Sequence, residues 1–86
     1  MLLEQTENLE ELILAEKERV AQELIEEAWA NAVQEGIEPA ILAEQAITFA
    51  LTQLGLTGGE EAVREIVDSL PDRVASGHFL AQRVLQ

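Results

Sequence analysis

From Leu9 to Val33 the apolar residues recur at intervals of three and four, and nowhere along the chain do they alternate with polar ones. That period belongs to a helix and not to a strand, so the feature alone restricts the chain to an all-α fold. The row is Leu9, Leu12, Ile13, Val20, Ala21, Leu24, Ile25, Ala28, Trp29, Ala32 and Val33, with a gap at Glu16 and Lys17. Thr6 suits the N-cap, and Glu7 lies in the first turn, where the helix dipole favours an anion. Gly36 suits the left-handed position just past the C-terminus, with Ile37 able to fold back on Ala32 as in a Schellman motif. A first helix is therefore expected over about 7–35, with residues 1–6 frayed.

Pro39 opens the next element, since its missing N–H is unpaired in a first helical turn anyway. The second helix, about 39–54, is apolar over most of its circumference, which predicts a central position with Leu42, Ala46, Ile47, Phe49, Ala50 and Leu54 in the core. Gly55 then marks its end. The following Thr57-Gly58-Gly59-Glu60 has the spacing of a capping box, Thr57 accepting from the N–H of Glu60 and Glu60 reaching back to Thr57. A glycine-rich turn before a helix also raises the question of a phosphate cradle. A cradle commonly adds a Lys, whereas Glu60 and Glu61 stand here and would repel an anion. The stretch reads as helix punctuation.

A third helix, about 58–69, points Ala62, Val63, Ile66, Val67 and Leu70 inward and pairs Glu60 with Arg64. Pro71 predicts a bend at Leu70. Asp72 to Ser76 read as a short helical turn closed by Gly77, and His78 to Gln86 as a last short helix. The expected fold is all-α, a small bundle of three main helices (about 7–35, 39–54, 58–69) plus a short C-terminal helical segment after Pro71. The 86 residues imply one domain. The Gly-x-Glu-Pro and Gly-Leu-Thr-Gly junctions are similar to those of many short bacterial proteins, and no motif assigns a family.

Charge narrows the function. The net charge is −12, and five Lys and Arg cannot supply the basic surface that nucleic acid requires. An anionic membrane would repel the chain for the same reason. Residues 1–38 carry eleven Glu against Lys17 and Arg19, a net of −9, so the acidity lies mainly on the first helix. No signal-peptide pattern opens the sequence and no apolar run is long enough to span a bilayer, which points to a cytoplasmic protein. The chain has no cysteine, so disulfides, zinc thiolates and thiol chemistry are excluded.

No catalytic constellation emerges. His78 is the single histidine; Ser69 and Ser76 lie near it in sequence, but no nucleophile motif surrounds them, and a packing role is expected. Glu23, Glu26 and Glu27 offer oxygens, yet helical glutamates facing water are the rule, and neither Glu-x-x-His nor EF-hand spacing occurs. No cofactor and no metal are expected. Trp29 reads as core first and as an interface anchor second.

Length supplies the functional expectation. At 1.5 Å per residue the first helix would be about 43 Å long, the second about 24 Å and the third about 18 Å. The shorter helices cannot cover the whole apolar row of the first, which leaves Leu9, Leu12 and Ile13, with Leu2 and Leu3, in need of cover. A kink near Glu16 and Lys17, the segment around Phe79 and Leu80, or a second chain could supply it. The candidate interface is Leu9, Leu12, Ile13, Val20 and Trp29, and a homodimer or another protein is the expected partner. The dense Glu belt opposes close pairing of two such helices. The chain reads as a small acidic protein that acts by protein–protein interaction or self-association and not as an enzyme. The alternative is an acidic mimic that occupies a basic nucleic-acid-binding groove of another protein.

Overall fold

The computed structural model describes residues 2–80, and side chains from Asn8 onward. All regular structure among them is α-helix: α1 spans Leu2–Gln34 and α2 spans Pro39–Ala75. Two helices stand where three were expected. The chain divides into two units after Ala43.

α1 begins at Leu2, earlier than expected, so Thr6 is inside the helix and is not its cap. The residues ahead of Thr6 are Leu, Leu, Glu and Gln, all strong helix formers, and nothing in them stops the helix from extending. No kink interrupts α1 at Glu16 and Lys17. The helix ends in a full Schellman motif. Gly36 takes φ 95°, its N–H donates to the Val33 carbonyl at 3.0 Å, and the N–H of Ile37 donates to the Ala32 carbonyl at 3.2 Å.

α2 absorbs the expected second and third helices. Gly55 does not end it. The break comes at Gly59, whose φ of 78° and ψ of −178° lie outside helical space, in a region open almost only to glycine. The capping box does not form. The Thr57 hydroxyl donates back to the Gln53 carbonyl at 3.2 Å and the Leu54 carbonyl at 3.3 Å, while Glu60 takes its bond from Arg64 at 2.9 Å. The hydroxyl is satisfied within its own turn, so it has no need of the amides beyond the break. The other two glycines of the stretch answer to close approach. A Cβ at Gly58 would meet the Ala62 methyl at 2.7 Å, and one at Gly55 would lie 3.4 Å from the Val63 side chain. The break therefore brings the turn carrying Ala62 and Val63 against the turn carrying Gly55 and Gly58.

Pro71 sits inside α2 and does not end it. It cannot donate to the Val67 carbonyl, so one helical bond is lost there, but the helix resumes and closes at a second Schellman motif. Gly77 takes φ 76°, its N–H donates to Val74 at 3.1 Å, and the N–H of His78 donates to Arg73 at 3.0 Å. Residues 76–80 are turn. The expected last helix from His78 is therefore absent through Leu80, and its remainder lies outside the described residues.

No side chain among residues 8–80 is buried. Of the expected core of the second helix only Leu42 and Leu54 are half-buried, and Ala46, Ile47, Phe49 and Ala50 are exposed. Ala62, Val63 and Leu70 are half-buried, whereas Ile66 and Val67 are exposed. Four of the half-buried apolar residues flank the Gly59 break: Leu51 and Leu54 precede it and Ala62 and Val63 follow.

Candidate protein-interaction surface

α1 sets the geometry of the candidate interface. It is continuous from Leu2 to Gln34, so positions along it advance by about 100° per residue. On that count Leu9, Leu12, Ile13 and Val20 fall within an arc of about 100°, one face of the helix. Trp29 falls roughly 200° from Leu9, on the opposite side. The structure therefore unites four of the five candidate residues and separates the fifth. The angular count itself holds that signal: a row that keeps to steps of three and four can still wander round the helix, and this one does so after Leu24.

The result is two apolar faces on one helix. The first runs through Leu9, Ile13, Val20 and Leu24. The second runs through Ile25, Trp29 and Val33, spaced by four, with no charged residue between Glu27 and Glu35. All of these side chains are exposed, from 37% at Trp29 to 67% at Ile25. The reading of Trp29 as core is corrected: it stands among the exposed large apolar residues.

Acidic residues lie within the first face and at the border of the second. Arg19 lies between Glu16, at 2.6 Å, and Glu23, at 2.5 Å, one turn to either side. The hydrogen bond to Glu16, with that to Glu23 adding to it, raises the Arg19 pKa from its ordinary value. Gln22 donates to Glu26 at 3.0 Å. These are exposed intrahelical pairs and fix side-chain rows more than they fix a fold. By the same angular count Glu16, Glu23 and Glu27 lie within about 40° of Leu9, inside the apolar row and not beside it.

The remaining chemistry-bearing residues are occupied locally. Ser69 Oγ donates to the Ile66 carbonyl at 2.7 Å and Ser76 Oγ to the Arg73 carbonyl at 3.1 Å. His78 stacks edge-on against Phe79, with ring centroids 4.9 Å apart, and the Arg73 guanidinium lies 5.0 Å from the same ring. This cluster was not legible in the sequence, because the Schellman turn at Gly77 is what returns His78 and Phe79 to Arg73. A shallow depression on α2 is lined by Glu61, Arg64, Glu65 and Asp68; these are successive charges on an exposed helix face. Among the described residues no group of His, Cys, Asp and Glu is placed to hold a metal, and no helix is long and apolar enough to cross a membrane.

No known protein family, curated protein or solved structure matches this chain. The fold stands as an all-helical chain without strands among the described residues.

Proposed function

We propose that this protein acts by binding other polypeptide chains, itself included, and not by catalysis. The observation that carries this reading is the absence of any buried side chain from Asn8 to Leu80 in a chain that is 48% hydrophobic. Apolar area removed from water stabilises by about 25 cal/mol per Å², and here that stabilisation is still to be gained. Exposed rows of Leu, Ile, Phe and Trp of this extent mark partner surfaces.

Self-association is best supported at the Ile25–Trp29–Val33 row. It carries the tryptophan, only Glu26 borders it between Ile25 and Val33, and two-fold pairing is the commonest way for a single chain to cover such a row. Light scattering on a sizing column tests it, on the full chain and on Ile25→Glu and Ile13→Glu, at low and high salt. A dimer mass that falls to the monomer in Ile25→Glu is expected. A monomer for the unaltered chain at every concentration and salt would sink self-association and leave only a different partner.

A second reading, the acidic mimic of a nucleic-acid backbone, is favoured by the net charge of −9 over residues 1–38. A charge density of that sign steers encounter with basic grooves. Binding through charge alone would fall steeply with salt and ignore the apolar residues.

A further inference from the structure

The first face of α1 differs from the second in one respect that selects its partner. Its apolar residues are interleaved with glutamates. Glu16, Glu23 and Glu27 follow a spacing of seven and four, the repeat with which one helix meets another along a shared seam. Between Leu9 and Glu27 the face extends about 27 Å at 1.5 Å per residue, long enough for a helix of some five turns.

A second copy of this chain is the wrong occupant. In a parallel pair each of the three glutamates would oppose itself, and like charges across a seam are destabilising. In an antiparallel pair centred on the face, Glu27 would come against Leu9 and Glu23 against Ile13, leaving carboxylates covered by apolar groups with no partner. The α1 of a copy could bring only Lys17 and Arg19, the basic residues of its first 38, and Arg19 already lies between Glu16 and Glu23.

We propose that the Leu9–Glu27 face of α1 receives a basic amphipathic helix of another protein, whose Lys or Arg side chains meet Glu16, Glu23 and Glu27 while its apolar row packs on Ile13, Val20 and Leu24. This rests on the reading of the chain as a binding protein and specifies the partner. The glutamates supply register and discrimination, and the aliphatic row supplies the stabilisation. An acidic partner helix is rejected by the same three residues.

The test uses the full chain and two labelled synthetic peptides, followed by fluorescence anisotropy. Both are about 19 residues, to match the face at 1.5 Å per residue, with Leu at the seam positions that meet Ile13, Val20 and Leu24. At the seam positions that meet Glu16, Glu23 and Glu27 one carries Lys, the other Glu. The Lys peptide binds and the Glu peptide does not. Glu16→Gln/Glu23→Gln/Glu27→Gln weakens the Lys peptide by about tenfold or more, in the range of charge pairs across an interface. Glu10→Gln/Glu11→Gln/Glu18→Gln removes the same charge away from the row and weakens it by less than about threefold, as expected for screened, distant charges. Ile13→Ser, which leaves every charge in place, also weakens binding.

Failure of the Lys peptide to bind overturns the proposal, as does equal weakening by the two triple variants, which would assign the attraction to net charge. An unaffected Ile13→Ser overturns it too, in favour of the mimic. If the Lys peptide does not bind but light scattering shows a dimer broken by Ile25→Glu, the proposal is lost and the binding reading stands. If the chain is also a monomer, the proposal and self-association are both lost.

Discussion

α1 and the region around Gly59 in α2 are built from opposite resources. α1 has no glycine or proline from Leu2 to Gln34. It is held by its backbone ladder and by side-chain pairs such as Arg19 with Glu16 and Glu23, and every side chain from Asn8 to Asn31 is exposed. The Gly59 region has three glycines within five residues, gives up helical geometry at one of them, and in return half-buries Leu51, Leu54, Ala62 and Val63. A long unbroken helix maximises local bonds and leaves its apolar faces exposed. A broken one forgoes some local bonds and covers part of its own surface. The same alphabet of Leu, Ala and Glu becomes an exposed face or a half-buried cluster according to whether the backbone turns back.

The sharpest way to break this contrast is Gly59→Val. A β-branched residue cannot hold φ 78° and ψ −178°, and strain of this kind costs on the order of 1–3 kcal/mol. Thermal unfolding followed by circular dichroism should show a melting temperature lower by roughly 4–8 °C for each kcal/mol lost. An unchanged melt would mean that the break is not needed. Gly58→Ala comes next. Its Cβ would lie 2.7 Å from the Ala62 methyl, so the turns must separate, at a cost of about 1 kcal/mol after the gain in helix propensity is offset against overpacking. Adding Ala62→Gly should restore most of the loss, and a double-mutant cycle reads the coupling directly. Additivity of the two changes would show that the turns do not touch.

A third measurement compares the regions on one footing. Leu54→Ala removes half-buried atoms and should destabilise by about 1–2 kcal/mol, below the range for a fully buried leucine. Leu24→Ala removes the same atoms from an exposed site on α1 and should stay within about 0.5 kcal/mol. Denaturant titration of the two variants checks it, under conditions where the chain is free of partners. Equal losses would mean that α1 has a covered face after all.

The ends closed at Gly36 and Gly77 were the most legible part of this chain, whereas the start of α1 at Leu2 was not. Gly36 and Ile37 announce a Schellman motif because the motif needs only a residue tolerant of positive φ and bonds reaching back three and five positions. The Glu60–Arg64 pair was legible for the same reason: it spans one turn. What could not be read was which of three glycines would leave helical space. That choice depends on where Ala62 and Val63 can approach, and Gly55, the expected stop, is instead the floor of that approach. Burial was equally hidden. Ile47 and Phe49 have the composition of a core and lie exposed, because an apolar circumference says that cover is needed and not that the chain supplies it. The candidate interface lies between these cases. Its four N-terminal members share a face, and Trp29 falls outside it because successive steps of three and four do not by themselves return to the same angle.

The smallest effect tests whether α1 depends on its local pairs at all. Arg19 is the cation that pairs with both Glu16 and Glu23, its exposed i,i+3 and i,i+4 partners. Replacing it by Gln leaves two glutamates about two turns apart without the cation that bridges them, in a chain whose first 38 residues already carry a net of −9. Helicity at 222 nm should fall slightly in Arg19→Gln at low salt. High salt should close the gap, since it screens both the lost attraction and the repulsion that replaces it. A loss that persists at high salt would show Arg19 acting through its aliphatic stem, packed along the helix, and not through charge. No loss at either salt would place the stability of α1 in its backbone ladder and side-chain propensities, which is what the proposed docking face requires: the helix must keep its shape before anything binds.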